Sequence, residues 1–444
     1  MAAPMKACLV AGGLGTRLRS ISGDAIPKAL VPVAGRPILF RQLELLKRHN
    51  VREVAMLAGH LAETLAAAAL PVAAQMGLEA RFFVEALPLG TAGGLTAAAE
   101  YLGGADFIVL YADEAVEMDL SRLLAFHQGR EALGTIVCHP NDHPHESDLL
   151  VTDARSRVLQ ILPRKTRPPG SYRNLVPAGV YCCSPDVFRH IRPGVKQDFI
   201  GDVFPGMIAS GAPLFAYNTP EYLRDMGTVE RCHRVEQDIL SGYMQKMHLS
   251  RLRPAVFFDR DGVLNVKGDS PGILSPDQLE LLPGAAEAVH LANEAGWLAV
   301  LVTNQPVLAK GMITREQWEA IQARLETLLG LAGARLDRTY MCPHHPESGF
   351  RGEVAELKID CACRKPKPGL LLQAMKELPV DRARSCVIGD SWRDFAAARA
   401  VGLAAYGVST GDGARTAPGQ AEPDRVFANV LEALTFAVGL PAQS

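Results

Sequence analysis

The chain lacks an excess of charge of either sign. Its 444 residues include 46 lysines and arginines and 48 aspartates and glutamates, which gives a formal net charge of −2. This balance provides no electrostatic footprint for nucleic acid or for an acidic membrane surface, so neither is expected as a partner. Any phosphate group must therefore be bound at local sites.

Long apolar runs are also absent from the sequence. No stretch approaches the roughly 20 apolar residues that span a bilayer, and the alanine-rich run 61–74 contains Glu63 and Pro71. The opening MAAPMKACLVAGG becomes glycine-rich too early for a signal peptide. Nine cysteines, an odd number, argue against a disulfide framework. We therefore expect a cytoplasmic protein with reduced thiols.

The chain is longer than one hydrophobic core usually serves, and its pattern of elements starts twice. In the first half, expected strands at 7–10, 53–57, 79–84 and 106–110 alternate with expected helices at 36–49, 61–76 and 91–101. A polar helix at 229–247 follows. A second series then has strands at 255–258, 298–302 and 387–388, and helices at 284–295, 314–329 and 392–400.

This alternation predicts an α/β fold class with two Rossmann-like three-layer α/β/α domains, each a parallel sheet covered on both faces. We predict domains at 1–247 and 254–444, joined by a linker at 248–253. Ligands of such sheets bind beyond the carboxyl ends of the strands.

A glycine-rich loop, LVAGGLGTRL, follows the first strand. Its glycines let backbone amides approach phosphate, and the next two side chains add a hydroxyl and a positive charge. A tight strand-to-helix turn is the alternative interpretation, but a turn needs no second cation, and Lys28 follows closely. Two cations favour a triphosphate site. The candidate loop residues are Gly12, Gly13, Gly15, Thr16 and Arg17.

The segment AGGLGTRL…PKALVPVAGRPIL resembles the signature of the sugar-1-phosphate nucleotidyltransferases, and the resemblance covers roughly residues 5–240. Such enzymes join a nucleoside triphosphate (NTP) to a sugar phosphate. The resemblance implies that Glu85, Gly90 and Thr91 in EALPLGTAGGL contact base and sugar, and that Lys165 in LPRKTRP holds the sugar phosphate.

The same resemblance implies a magnesium site. Asp113 in VLYADEAVEMDL and Asp225 in RDMGTVER match the family's metal-binding aspartates. They would hold Mg²⁺ against the α-phosphate, while Arg17 and Lys28 offset charge on the leaving pyrophosphate. Either aspartate taken alone would be interpreted as a solvated loop carboxylate.

Two departures concern the sugar. Pro177 stands in PAGVY where the family usually has Asn, and Arg164 precedes Lys165 where Glu is usual. The stretch 139–150 combines three histidines with three acids. A metal site is one interpretation, but its prolines and irregular spacing favour a loop over the sugar pocket.

The strongest motif is AVFFDRDGVLN, in which an apolar strand is followed by Asp259 and Asp261. Carboxylates two residues apart face the same way and repel unless a cation or a shared proton intervenes. An exposed acidic turn is disfavoured, because four apolar residues come first and the matching segments LVTNQ, CRKPKPG and VIGDSWRD follow.

This set resembles the haloacid dehalogenase-like (HAD) phosphatases. The resemblance implies that Asp259 is the nucleophile and that Asp261 protonates the leaving alkoxide and then activates water. It implies Mg²⁺ bound by Asp259, the backbone carbonyl of Asp261, and Asp390. Asp394 would support that site or cap a helix. The residues implied to bind phosphate are Thr303, Asn304 and Lys365.

Three thiols and one imidazole between these motifs suit structural Zn²⁺. They are Cys342, His344, Cys361 and Cys363. The spacing C-x-H…C-x-C is not the common finger pattern, so ordinary loop thiols remain an alternative from spacing alone. The segment nevertheless resembles the zinc loop, here 342–363, of D-glycero-D-manno-heptose 1,7-bisphosphate phosphatases, a branch that includes histidinol phosphatases. It implies that Arg364 and Lys365 recognise substrate.

The two halves together resemble bifunctional enzymes that make a nucleotide-activated heptose. The resemblance implies removal of the 7-phosphate from heptose 1,7-bisphosphate and GMP transfer from GTP to heptose 1-phosphate. One alternative is another sugar phosphate with UTP, dTTP or CTP, and another is a histidinol phosphatase half. A scaffolding protein with one dead domain is opposed by the intact acidic residues. The expected partners are NTP and sugar phosphates, and the residues carry no indication of oligomeric state.

Overall fold

The computed structural model describes residues 5–13, 26–59, 61–85, 87–268 and 272–440. The chain divides into two compact units. The first comprises residues 1–139, 148–166 and 175–248, and the second comprises 140–147, 167–174 and 249–444. The chain therefore enters the second unit three times, twice as a short excursion and finally at Leu249.

The first unit contains a seven-stranded sheet. The sequence placed four of these strands to within about one residue, since each is a short apolar run. In spatial order the strands are Leu214–Asn218, Gly134–His139, Val176–Cys183, Phe107–Tyr111, Lys6–Val10, Glu53–Ala58 and Glu79–Val84. Val176–Cys183 runs antiparallel to both of its neighbours, so the expectation of a purely parallel sheet was wrong here.

Helices and turns cover both faces of this sheet, with one apolar cluster on each face. Among the described residues of the first unit, the α-helices with at least six residues are Ile38–Arg48, Ala62–Gln75, Leu120–Gln128, Phe204–Ala209 and Val229–Leu240. Short two-stranded ribbons add Pro32–Val33 with Arg36–Pro37, Glu114–Glu117 with Tyr222–Asp225, and Leu149–Thr152 with Val158–Leu162.

Two expected helices of the first unit are broken. The segment expected at 91–101 forms three short pieces, Gly90–Gly93, Gly94–Ala98 and Ala99–Leu102, since successive glycines are poor helix formers. The helix expected at 229–247 ends at Leu240. Gly242 then takes a left-handed φ of 74° before the turn Tyr243–Lys246.

The second unit contains a six-stranded sheet in which every pair is parallel. In spatial order its strands are Arg338–Cys342, Leu298–Asn304, Ala255–Phe258, Cys386–Gly389, Ala404–Val408 and Arg425–Phe427. The central strand is buried on both faces, with Phe257 packing into one apolar cluster and Phe258 into the other.

Helices lie on both sides of this second sheet. Ala285–Glu294, Arg315–Leu331 and Val430–Ala437 contribute to the cluster of Phe258. Gly369–Glu377 and Trp392–Ala400 contribute to the cluster of Phe257. The capping box expected at Thr314 and Gln317 is present. The predicted α/β fold class is therefore confirmed for both units.

Among the described residues, no helix has both the length and the apolar content that crossing a bilayer requires.

Candidate functional site

Three neighbouring parallel strands of the second unit bring polar residues to one edge of the sheet. Asp259 follows the central strand, Thr303 lies near the end of one neighbour, and Asp390 follows the other. Parallel strands place their carboxyl ends at the same edge. All three residues line a cavity of about 340 Å³ together with Asn304 and Arg364.

Lys365 lies between two carboxylates inside this cavity. Its Nζ is 2.9 Å from Oδ1 of Asp259 and 2.6 Å from Oδ1 of Asp394. It also donates a hydrogen bond of 2.8 Å to the carbonyl of Val302. These contacts hold the charge of Lys365 against the expected nucleophile.

Three carboxylates converge at the cavity floor. One oxygen from each of Asp259, Asp390 and Asp394 lies within 4.8 Å of the others. Burial raises the pKa of Asp259 to about 6, against the opposing effect of Lys365. Burial, followed by the charge of Asp259, raises the pKa of Asp390 to about 7. Crowded hard oxygen donors of this kind fit Mg²⁺.

Asp394 takes part in both arrangements that the sequence left open. Its Oδ2 accepts hydrogen bonds from the backbone N and Oγ of Ser391, at 3.2 and 2.8 Å, which forms a capping box on the helix Trp392–Ala400. Its Oδ1 contacts Lys365. Because these partners occupy both oxygens, Asp259 and Asp390 are the better placed carboxylates for a metal ion.

Donors surround the side chain of Asp261. Arg260 Nη2 lies 3.0 Å from both of its oxygens, Asn265 Nδ2 lies 3.0 Å from Oδ1, and Gln305 Nε2 lies 2.9 Å from Oδ2. Burial acts to raise the pKa of Asp261, but the guanidinium and the hydrogen bonds outweigh burial and hold the pKa below its usual value. In the free site this side chain is therefore a carboxylate.

The turn that follows Asp259 and Asp261 begins with a glycine. Gly262 has a φ of 86°. A Cβ added there would lie 2.4 Å from Oδ2 of Asp390 and 2.8 Å from Cα of Gly411. Only glycine suits both the backbone conformation and the space, which explains why it follows the second aspartate.

The other side chains expected to bind phosphate or substrate form hydrogen bonds with neighbouring protein groups. The Asn304 side chain exchanges two hydrogen bonds of 3.0 Å with the backbone of Lys365. Arg364 donates to the carbonyl of His344 at 3.2 Å and lines the cavity. Thr303 is buried, and its Oγ1 accepts a hydrogen bond of 2.9 Å from Gln305.

The four expected zinc ligands converge. Ligand atoms of Cys342, His344, Cys361 and Cys363 all lie within 4.8 Å of one another, and the closest pairs are 3.2 Å apart. The cysteines form no disulfides. Three sulfurs and one imidazole nitrogen at these separations form a donor set that fits tetrahedral Zn²⁺.

In the first unit, Asp113 and Asp225 come together on a two-stranded ribbon. One strand begins directly after Asp113, the other ends at Asp225, and Glu114 is paired with Asp225. The backbone N of Met226 donates to the carbonyl of Asp113 at 3.1 Å. Two aspartates far apart in sequence are thus brought to the same end of one ribbon.

Each of these aspartates has its own cation. Lys28 forms an ion pair with Asp113. Arg231, for which the sequence motif gave no separate indication, lies with Nη1 2.7 Å from Oδ1 of Asp225. Although burial acts in the opposite direction, Arg231 holds the pKa of Asp225 below its usual value. Burial, followed by the two aspartate charges, raises the pKa of Glu114 well above its usual value.

Glu85 lies against the glycine loop. A Cβ added at Gly12 would be 3.1 Å from its Oε2, and one added at Gly94 would be 1.7 Å from its Oε1. Gly13 has open space where a Cβ would lie. Of the expected nucleotide contacts, Gly15, Thr16 and Arg17 lie outside the described residues.

Gly90 and Thr91 contact a neighbouring loop. Gly90 has a φ of 77°, and a Cβ there would lie 2.5 Å from the carbonyl of Gln197. Thr91 donates from both its N and its Oγ1 to Asp198, at 2.9 and 3.1 Å. Both residues therefore have a structural role, and their contact with a nucleotide stays a prediction. Lys165 is exposed.

Two family models match the chain. The model described as nucleotidyl transferase matches residues 6–242, and the model described as HAD-hydrolase-like matches residues 362–433. Between them the matches fall on both units.

Several heptose-bisphosphate phosphatases are similar to part of this chain. A D-glycero-beta-D-manno-heptose-1,7-bisphosphate 7-phosphatase from Yersinia pestis is 38% identical over 179 residues, which is 40% of this chain and 92% of the relative. The phosphatase of the same name from Pasteurella multocida is 40% identical over 148 residues, which is 33% of this chain and 77% of the relative.

Two solved structures are similar to parts of this chain. The D,D-heptose 1,7-bisphosphate phosphatase from B. bronchiseptica, complexed with magnesium and phosphate, is 34% identical with a TM-score of 0.37, over 41% of this chain and 97% of that one. HddC from Yersinia pseudotuberculosis is 25% identical with a TM-score of 0.46, over 53% of this chain and 99% of that one.

Proposed function

The chain belongs to the nucleotidyl transferase family through residues 6–242 and to the D-glycero-beta-D-manno-heptose-1,7-bisphosphate 7-phosphatases through its second half, and from that premise we propose a two-step synthesis of a nucleotide-activated heptose. A nucleotidyltransferase domain is fused to a HAD phosphatase domain. The second site would release the 7-phosphate of heptose 1,7-bisphosphate. The first would transfer GMP from GTP to the heptose 1-phosphate, giving GDP-heptose and pyrophosphate.

The observation that supports the phosphatase step is the arrangement of Lys365 between Asp259 and Asp394. An oxygen of Asp259 attacks phosphorus, the bond from phosphorus to the sugar oxygen breaks, and Asp261 gives its proton to that oxygen. Asp261 then takes a proton from water, which attacks the aspartyl-phosphate and releases inorganic phosphate. The ionised state of Asp261 in the free site suits this second half.

Asp261 needs a proton for the first half of the reaction. The incoming phosphate group carries negative charge, which disfavours a second anion beside it and so raises the pKa of Asp261. Magnesium held by Asp259 and Asp390 would neutralise phosphate oxygens during the transfer. Lys365 supplies further fixed positive charge at the same place.

For nucleotidyl transfer, the oxygen of the sugar phosphate displaces pyrophosphate from the α-phosphorus. The protein mainly positions the reactants and offsets charge. Support comes from the adjacency of Asp113 and Asp225 and from the cation on each. We propose that Mg²⁺ binds both carboxylates and that Lys28 and Arg231 are then available to phosphate oxygens. Arg17 and Lys165 remain proposed contacts to pyrophosphate and sugar phosphate.

We propose a structural zinc ion at Cys342, His344, Cys361 and Cys363. Support comes from the mutual distances of the four ligand atoms. The zinc ion would fix the loop that carries Arg364 to the edge of the cavity. The assignment of GTP and of heptose as substrates is based on the resemblance of the fused halves to bifunctional enzymes.

A coupled assay tests this function. Heptose 1,7-bisphosphate is incubated with the full chain, Mg²⁺ and, in separate reactions, GTP, ATP, UTP, CTP or dTTP, and the products are identified by mass spectrometry. We expect inorganic phosphate in every reaction and GDP-heptose with GTP. A different nucleotide sugar would correct the base, and phosphate release from histidinol phosphate but not from the heptose would contradict the sugar.

A further inference from the structure

Gln305 is a buried side chain in the phosphatase cavity to which the proposed mechanism assigns no role. The residue is 3% exposed, although it lines the cavity. Its backbone N donates a hydrogen bond of 2.8 Å to the carbonyl of Cys342, so its main chain is tied to the first of the proposed zinc ligands. A glutamine held in this way has few orientations open to it.

The neighbours of Gln305 determine which end of its amide faces which group. Arg260 Nη2 lies 3.0 Å from Oε1 of Gln305, and Arg260 is fully buried. A guanidinium has donors and no acceptor, so the amide oxygen must face it. The amide nitrogen consequently faces the opposite side of the site.

Both hydrogens of that nitrogen have partners. Gln305 Nε2 lies 2.9 Å from Oδ2 of Asp261 and 2.9 Å from Oγ1 of Thr303. Because the Thr303 oxygen accepts this hydrogen bond, its own hydrogen remains available to another acceptor. The Thr303 side chain lines the same cavity as Asp259, so a phosphate oxygen there is a suitable acceptor.

We infer that Gln305 is a positioning residue for the phosphatase reaction: fixed by Arg260, it holds Asp261 for proton transfer and leaves the Thr303 hydroxyl as a donor to phosphate. The inference rests on the proposed phosphatase function. Gln305 does not touch the reacting atoms and acts through its two neighbours.

The test compares two substrates that differ in their need for a proton. An alkyl phosphate leaves as an alkoxide and requires the proton of Asp261, whereas 4-nitrophenyl phosphate leaves as a stable phenolate and requires it far less. Gln305→Met keeps the volume and removes both donors. We expect kcat/KM for heptose 1,7-bisphosphate to fall about 10- to 100-fold, and at least about tenfold more than kcat/KM for the aryl phosphate.

Gln322→Met is the matched control. Gln322 is fully buried in the same unit, with Nε2 donating to Glu326 and Thr339, and it does not line the cavity. This variant should leave the ratio of the two specificity constants unchanged, while thermal unfolding reports any loss of stability in both variants. If Gln305→Met does not fold, Gln305→Glu keeps an acceptor for Arg260, removes both donors, and should shift the ratio in the same direction.

An equal fall on both substrates, or no fall on either, would overturn the inference. Failure of the proposed function has a different result. If the wild-type chain hydrolyses 4-nitrophenyl phosphate but not heptose 1,7-bisphosphate, the assigned sugar is wrong. Fructose 1,6-bisphosphate then replaces the heptose as the alkyl substrate, and the ratio for Gln305→Met still decides the role of Gln305.

Discussion

The two candidate sites differ in how their acidic residues are neutralised. In the phosphatase site, Asp259, Asp390 and Asp394 crowd within 4.8 Å, and Lys365 is the cation placed between two of them. In the nucleotidyltransferase site, each aspartate has a separate cation. The first arrangement concentrates negative charge at a fixed point, and the second leaves two neutral pairs.

The pKa values follow this difference. Those of Asp259 and Asp390 are raised to about 6 and about 7, because burial and mutual repulsion exceed the effect of Lys365 on Asp259 and of Lys267 on Asp390. That of Asp225 is lowered, because Arg231 outweighs burial. If Mg²⁺ binds as proposed, we therefore expect the phosphatase site to receive it directly and the nucleotidyltransferase site to exchange a side-chain cation for it.

The largest expected effect separates the two activities at the nucleophile. Asp259→Asn removes the proposed attacking carboxylate and should reduce phosphate release by at least about 1,000-fold. Nucleotidyl transfer from a supplied heptose 1-phosphate should persist. Phosphate and pyrophosphate release are measured in parallel, and loss of both to the same degree would contradict independent sites.

Asp113→Ala should have the opposite effect. Removing a proposed metal ligand should lower pyrophosphate release by about 100-fold or more, while phosphate release remains within about twofold of the wild-type rate. Asp186→Ala is the control, since Asp186 is more than half exposed at 57% and pairs with Arg189. If Asp186→Ala lowered pyrophosphate release as much as Asp113→Ala, the proposed role of Asp113 as a metal ligand would be contradicted.

Metal content tests the thiol cluster. Purified chain should contain about one zinc ion, and Cys363→Ser should lose most of it and lower the thermal unfolding midpoint, because ligand binding stabilises the folded loop. Cys386→Ser alters a buried thiol that is not in the cluster and should retain its zinc. Full activity and unchanged stability of a zinc-free preparation would argue against the site.

The smallest expected effect is the release of protons when Mg²⁺ binds. Because its pKa is raised to about 7, Asp390 is partly protonated near pH 7, and Mg²⁺ binding should displace that proton. Titration calorimetry in two buffers of different ionisation heat should detect proton release in Asp225→Asn, in which the phosphatase site is intact. Release should be smaller in Asp390→Asn, because this variant lacks the carboxyl whose pKa is raised. Equal release from both variants would contradict the contrast between the sites.

Residue pattern predicted those parts of the fold that depend on local composition. The strands ending at Phe258 and Val84 and the helix Trp392–Ala400 were placed at their observed ends, because apolar runs and caps are local signals. The direction of Val176–Cys183 was not predicted, since strand orientation depends on distant pairing. No local pattern predicted that the segments 140–147 and 167–174 belong to the second unit.

The candidate site could likewise be predicted only where local motifs identify its residues. Motifs identified Asp259, Asp390 and Lys365, and the structure brings them together. The hydrogen bonds that orient Asp261 come from Arg260 and Gln305, which lie inside or beside those motifs but whose partners depend on tertiary packing. Sequence order cannot show which end of an amide faces which neighbour.

The central claim is that one chain performs two steps at two independent sites, and complementation tests it most directly. Asp259→Asn and Asp113→Ala are each incubated alone, and then mixed, with heptose 1,7-bisphosphate, GTP and Mg²⁺. Neither variant alone should form GDP-heptose, and the mixture should form it, because one variant releases the 7-phosphate and the other transfers the nucleotide. Failure of the mixture, with each variant retaining its single activity, would contradict the account.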